Sequence, residues 1–537
     1  MGVFLNSIIP YESYKEMVMD TYFVDKSMLL AELIPAIGRK NKYFCITRPR
    51  RFGKTVMAEM TGAFFGKAAD GSKLFESLEI SKYNNYKEHL NKYNVIFIDF
   101  SKGSESTSTY KEYITRITSS IKNELLQEFP GLGLDIIKPL WDILTDIFQK
   151  TGQKFIFIMD EWDAVFHMSF FTCKEHEEYL LFLRNLLKDQ IYVNLAYMTG
   201  ILPIAKYSSG SELNIFSEYN MVTKEKFSGY FGFSDNEVDK LFGVYQSITE
   251  HPKITREELR FWYDGYYTAA GERLYNPRSV TCSLSDNQLG SYWTSSGPYD
   301  EIFYYIKDNI AQVRDDFVLM VSGEQIESVM HEYAATAKEF DNKNQIYSAM
   351  VVYGLLTYHN SKVFIPNKEL MDKYNELLLS EENFGYVNRL AKESAKMLEA
   401  TLSGDTKTME KILDYVHNTE SPVFSYNSEI ELSAIVNLVY LSARDKYRIE
   451  REDKSGKGFV DFIFYPAYKG YDGIILELKT GSTPDKAIKQ IKDKNYILRF
   501  KGKLGEKPKY TGRILAVGIS YDKKTKEHFC KIEVLRQ

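Results

Sequence analysis

The chain has 537 residues, which at roughly 100–200 residues per domain suggests about three to five domains. Hydrophobic residues make up 44% and charged residues 26%, a composition that excludes wholesale disorder. Its apolar strings are short, such as Phe155-Ile156-Phe157-Ile158-Met159, and none approaches the ~18 residues a membrane helix needs.

The first residues carry no basic region followed by an apolar stretch, and Asn6 stands where a myristoylation signal requires Ser or Thr, so a cytoplasmic address is expected. Four cysteines, Cys45, Cys173, Cys282 and Cys530, are scattered without C-x-x-C spacing, which suggests neither a disulfide framework nor a thiolate zinc site. Charge is uneven. From Glu420 onward there are 23 basic and 16 acidic residues, against 45 and 57 in the rest, so a basic C-terminal part that meets a polyanion is expected on an acidic body.

Up to residue 232 the chain alternates β-rich runs with amphipathic stretches. Tyr43–Thr47, Val95–Phe100, Phe155–Met159 and Val193–Thr199 read as strands far enough apart for crossover helices, hence a P-loop-like parallel sheet flanked by helices. After the first strand comes Thr47-Arg48-Pro49-Arg50-Arg51-Phe52-Gly53-Lys54-Thr55, followed by an amphipathic run. A phosphate-binding loop needs this context, because backbone N–H groups around Gly53 and the following helix N-terminus cradle phosphates together. Lys54 offers an ammonium for the β- and γ-phosphates of ATP, and Thr55 a hydroxyl for Mg²⁺. The loop departs from the general pattern in that Arg48 holds the position of the opening glycine. Arg48, Arg50 and Arg51 are either nucleotide clamps or structural contacts.

Downstream, the strand Phe155–Met159 ends in Asp160 and Glu161. Two carboxylates closing a buried strand are costly unless they meet a cation. Asp160 is therefore expected to hold Mg²⁺ through water and Glu161 to polarise an attacking water, with hydrolysis itself left open. Thr199 is read as a polar sensor or as a cap on the following turn.

Ser234-Asp235-Asn236-Glu237 is a capping box, and it opens a helical region over 233–420. Within that region the order helix (Ile346–Tyr353), strands around Leu355–Tyr358 and Val363–Ile365, then helix from Lys368 fits a winged-helix-like unit. Ser421-Pro422 punctuates the chain ahead of a third domain, 421–537.

There, Gly458–Tyr465 and Gly473–Lys479 form a strand pair joined by a polar loop. Residues i and i+2 of a strand share a face, so Glu477 and Lys479 point together and Asp461 can join them. Two carboxylates and a lysine on one sheet face can hold a divalent metal and orient hydroxide toward a phosphodiester. Glu429, at a helix start, is a further candidate metal ligand. Between Pro484 and Lys509 nine basic residues face three acidic ones, a footprint suited to a nucleic-acid backbone.

Taken together, the chain resembles bacterial proteins that join an AAA-ATPase-like domain to a C-terminal PD-(D/E)XK nuclease domain. The resemblance rests on Tyr22-Phe23-Val24-Asp25-Lys26-Ser27, the loop Arg48–Thr55, Asp160-Glu161, Thr199-Gly200-Ile201-Leu202-Pro203-Ile204, Trp262-Tyr263-Asp264-Gly265-Tyr266 and Tyr275-Asn276-Pro277. It implies a restriction-endonuclease-like C-terminal fold with Glu429, Asp461, Glu477 and Lys479 as the nuclease set and Gln490 as an auxiliary residue. Glu431 competes with Glu429 for the helix position. The expected activity is a nucleotide-regulated, Mg²⁺-dependent nuclease acting on nucleic acid, DNA first, with no membrane partner and with a homo-oligomer allowed. The alternative is a nucleotide-sensing protein that grips nucleic acid without cutting.

Overall fold

The computed structural model describes residues 2–102, 108–168, 171–204, 213–293, 310–331, 340, 342–380, 382–384, 386–419, 429–450, 460–466, 470–500 and 512–536. It divides into two compact units, Met1–Pro298 with Glu327–Leu370, and Tyr299–Ile326 with Met371–Gln537. Ser421-Pro422, Gly458, Phe459, Lys501, Lys503, Lys507 and Lys509 lie outside the described residues.

The first unit is built on five parallel strands, β1 (Tyr43–Thr47), β2 (Asn94–Asp99), β3 (Phe155–Asp160), β4 (Val193–Gly200) and β5 (Ser217–Tyr219), in the order β2-β3-β4-β1-β5. The crossover helices include Lys54–Phe65, Tyr110–Glu128, Leu140–Thr151 and Cys173–Leu187. Because helices cover both faces, the strands are apolar throughout rather than alternating. Ile156 and Ile158 join one core with Met57, Phe64 and Tyr197, while Phe155, Phe157 and Met159 join another with Ile117, Leu144 and Leu183. Such a sheet gathers all its strand C-termini on one edge, where ligand sites of open α/β folds form.

Past β5, Ser234 and Glu237 make the expected reciprocal cap, at 3.4 and 2.8 Å, on the helix Asp235–Ile248. A short hairpin pairs β6 (Tyr266–Tyr267) with β7 (Arg273–Leu274), and a brief strand β8 spans Ile326–Glu327. The helix Lys343–Tyr353 is followed by an antiparallel pair, β9 (Thr357–His359) and β10 (Lys362–Phe364), then by the helix Lys368–Ser380. The order of elements is the winged-helix-like one. The boundary between the two units falls inside that last helix, after Leu370.

The second unit carries the helices Tyr386–Ser403, Thr406–Thr419 and Glu429–Val439 and a mixed sheet in the order β11 (Tyr447–Glu450), β12 (Phe462–Pro466), β13 (Gly473–Thr480), β14 (Ile514–Asp522), β15 (Glu527–Arg536). Only β13 and β14 run parallel. The helix Pro484–Asp493 packs Ile488 and Ile491 onto Ile463, Ile475 and Ala516. Gly518 permits this approach, since a Cβ there would stand 2.5 Å from the Pro484 carbonyl oxygen. A parallel P-loop-like sheet, a helical middle and a C-terminal mixed sheet of restriction-endonuclease-like layout therefore follow one another along the chain. No described helix is long and apolar enough to cross a membrane.

Candidate functional site

Two clusters of charged side chains stand out, one in each unit. In the first unit Gly53, at φ +87°, turns the chain into the helix Lys54–Phe65, a left-handed geometry that glycine adopts without strain. Lys54 is buried, and its ammonium donates to the carbonyls of Arg48 and Pro49 at 3.0 and 2.9 Å, so the loop closes on its own lysine. Burial lowers the Lys54 pKa, opposed by the charges of Glu161, Asp163 and Asp160.

The three arginines differ. Arg48 is only 1% exposed and donates to the carbonyls of Thr47 and Tyr219, both at 2.7 Å, and of Phe227 at 3.2 Å, over the ring of Phe231. Burial pushes its pKa down to about 9. Of the two expectations for Arg48 the structural contact is the one on view, its guanidinium tying the loop to neighbouring backbone. Arg51, at φ +66°, donates to the carbonyls of Tyr292 and Trp293 at 2.7 and 3.0 Å, and is likewise a structural contact. Arg50 is half-buried and is a charge neighbour of both Lys54 and Glu161.

Sheet register sets the acidic groups. Asp99 ends β2 directly beside Asp160 at the end of β3, and β4 lies between β3 and β1. Asp160 is 1% exposed and accepts hydrogen bonds from the hydroxyls of Thr199 and Thr55, while burial raises its pKa. Thr199 is therefore a partner of the strand-end carboxylate and not a turn cap. Glu161 sits at φ +50°, its pKa raised by burial and lowered by Lys54. Sequence reasoning missed Glu59, one turn beyond Thr55 on the same helix face; burial pushes its carboxyl up to about 7, lowered by Ser13 and raised by Asp160. It also missed Asp163, which accepts from the N–H groups of Ile201 and Leu202 at 2.9 and 2.7 Å and so fixes the turn after β4. The i, i+4 spacing from Thr55 was the available signal for Glu59.

Of the other motif residues, Tyr266 touches the loop, and the rest make contacts elsewhere in the unit. The buried Lys26 pairs with the partly exposed Glu237, and Asp25 and Ser27 accept from the N–H groups of Glu79 and Ile80. Tyr266 places its ring edge-on to Phe52 at 5.0 Å and donates to the Gly354 carbonyl. Asn276 caps the helix Pro277–Asp286.

In the second unit β12 and β13 pair so that Phe462 opposes Leu476, which sets Asp461 beside Glu477. Asp461 accepts from the Leu478 N–H at 2.7 Å, and Lys479 donates to Glu477 Oε1 at 2.8 Å. Glu477 is 2% exposed, and its other oxygen, Oε2, is buried with no hydrogen-bond partner. Burial, with the Asp461 charge adding, pushes its carboxyl up to about 7, against the pull of Lys479. A buried carboxylate oxygen without a partner costs about 1–3 kcal/mol; a divalent cation shared with Asp461 would remove that cost, so the donor set fits the ion. Among the described residues no group of three or more His, Cys, Asp or Glu is placed to hold a metal.

Glu429 begins the helix Glu429–Val439, but its side chain and that of the competing Glu431 are outside the described residues. Gln490 is on the helix Pro484–Asp493, one turn beyond Ala487, which meets the sheet near Gly518. Of the lysines on that helix, Lys486 and Lys489 are exposed, whereas Lys492 forms an ion pair with Glu533.

Residues 9–209 match the family model described as "Predicted AAA-ATPase", and residues 432–528 match the PD-(D/E)XK nuclease superfamily. A curated relative, "Uncharacterized protein in vnfD 5'region" of Azotobacter chroococcum, is 24% identical over 287 residues, 52% of this chain and 51% of the relative. The chain spans about half the length of that relative. Among solved structures, a Walker-type ATPase of Pyrococcus abyssi is 13% identical, with 65% of this chain and 94% of that one covered and a TM-score of 0.36. The Aeropyrum pernix ORC2 protein is 10% identical, with 69% and 94% covered and a TM-score of 0.31. Scores this low add nothing to the assignment, which rests on the two family matches: the chain carries an N-terminal AAA-ATPase-like domain and a C-terminal PD-(D/E)XK nuclease-superfamily domain.

Proposed function

We propose that the protein is a nucleotide-binding, Mg²⁺-dependent nuclease, with 1–232 as the nucleotide module, 233–420 as a helical connector and 421–537 as the cleaving module. The observation that carries the cleavage reading is the convergence of Asp461, Glu477 and Lys479, with Glu477 Oε2 buried and unpartnered. Asp461 and Glu477 would hold the cation, which supplies a hydroxide nucleophile when bound. Lys479 places a positive charge beside the developing phosphorane, and the basic outer face of the helix Pro484–Asp493 holds a nucleic-acid backbone, DNA first. Glu429 and Gln490 complete the set as a further ligand and an auxiliary residue.

In the nucleotide module Lys54 exchanges the Arg48 and Pro49 carbonyls for phosphate oxygens, and Arg50 adds a second cation. Thr55 and Asp160 hold Mg²⁺, and Glu161 orients water wherever hydrolysis occurs. The alternative is a nucleotide-sensing protein that grips nucleic acid without cleaving it. A plasmid-nicking assay with and without Mg²⁺ separates the two. Nicking by wild type that is lost in Asp461→Ala and Glu477→Ala is expected; equal nicking by both variants would end the nuclease reading.

A further inference from the structure

The phosphate loop is held from behind by residues distant in sequence. The Trp293 indole Nε1 donates to the Arg50 carbonyl at 3.0 Å, while the Tyr292 and Trp293 carbonyls receive the Arg51 guanidinium. The Trp293 backbone N–H in turn donates to Glu369 Oε1 at 2.6 Å, and Ser279 donates to Glu369 Oε2 at 2.8 Å. Glu369 and Trp293 are 2% and 8% exposed. A buried carboxylate this well satisfied fixes whatever it accepts from, and here it accepts from the residue that grips the loop.

We propose that Glu369 and Trp293 are positioning residues for phosphate binding, Glu369 acting through Trp293 and Trp293 through the backbone of Arg50 and Arg51. The inference rests on the nucleotide reading and deepens it. The loop lacks the opening glycine and takes a positive φ at Arg51, so contacts from outside it add to those that Arg48 and Lys54 make within it. The clamp holds the Arg50 carbonyl and the Arg51 guanidinium and leaves the Arg50 guanidinium, which has no hydrogen-bond or ion-pair partner among the described residues, for the phosphates. Trp293 and Glu369 also stand just ahead of the two places where the chain leaves the first unit, after Pro298 and after Leu370.

The test uses the full-length protein and the variants Trp293→Phe, Glu369→Ala and Glu369→Gln, with Trp262→Phe as the control indole, which lies under Lys368. In nucleotide-free protein, hydrogen exchange of the loop amides 50–54 should quicken in Trp293→Phe and Glu369→Ala, and stay at the wild-type rate in Trp262→Phe. Calorimetric affinity for Mg-ADP and Mg-ATP should fall by about three- to tenfold in Trp293→Phe, the effect of one lost neutral hydrogen bond, while affinity for adenosine holds. Glu369→Gln keeps an acceptor for the Trp293 N–H and should restore most of what Glu369→Ala loses. Unchanged loop exchange in Trp293→Phe would overturn the clamp, as would equal weakening of adenosine and ATP. Quickened exchange together with no nucleotide binding by wild type would leave the clamp standing and remove the nucleotide reading.

Discussion

At the scale of single residues, the three arginines of one loop, Arg48, Arg50 and Arg51, have different duties because their surroundings differ. Arg48 satisfies three carbonyls from a buried position, so Arg48→Met is expected to lower stability by about 3 kcal/mol, the penalty for unpartnered buried groups. Arg50→Ala should leave the unfolding midpoint unchanged and weaken Mg-ATP affinity about tenfold, the loss of a charge-assisted contact. Urea titration and calorimetry read both; an Arg50 variant with wild-type affinity would return that residue to the structural class. Glu477 carries the pH prediction. Its folded carboxyl titrates at about 7, above its ordinary value of 4.5, so the folded state binds the extra proton. Stability is present below about pH 4.5 and is lost as pH rises through about 7. Glu477→Gln, measured without divalent cations, should therefore gain about 1–3 kcal/mol over wild type at pH 8 and little at pH 5.

At the scale of elements, the helix Pro484–Asp493 has one face set by the sheet and another open to solvent. Gly518→Ala would drive a Cβ to 2.5 Å from the Pro484 carbonyl, so loss of about 1–3 kcal/mol is expected. On the open face, Lys486→Ala with Lys489→Ala should flatten the salt dependence of DNA binding by about 0.9 per lost phosphate contact. Lys492→Ala should do less, because its ammonium already faces Glu533. An unchanged slope in the double variant, read by fluorescence anisotropy across a salt series, would move the backbone contact elsewhere. Strands β1 to β4 were legible from their apolar runs to within one or two residues, as with Tyr43–Thr47, since a doubly covered parallel strand has few other readings. The helix-start cap at Ser234 was equally local and equally readable. The role of Arg48 was not, because its partners Tyr219 and Phe227 come from chain well over a hundred residues away.

At the scale of the whole molecule, the two candidate sites belong to separate compact units. Asp461→Ala is accordingly expected to abolish cleavage while leaving Mg-ATP affinity within about twofold of wild type, and Lys54→Ala to lower that affinity while leaving the second unit folded, as near-ultraviolet circular dichroism would report. The sequence by itself determined the order of element types, the phosphate-loop frame around Gly53-Lys54-Thr55, the strand-end acids and the shared face of Glu477 and Lys479. Each of these follows from local spacing, whether period two in strands or residue chemistry at a helix start. Only the tertiary structure decided which arginines are occupied, that Lys54 rests on its own loop, that Thr199 meets Asp160, and that Trp293 and Glu369 stand behind the loop. Apart from the Lys54 bonds, which span five and six positions, those contacts join residues separated by tens to hundreds of positions, and a hydrogen bond forms wherever folding brings donor and acceptor together, a distance that no local pattern encodes.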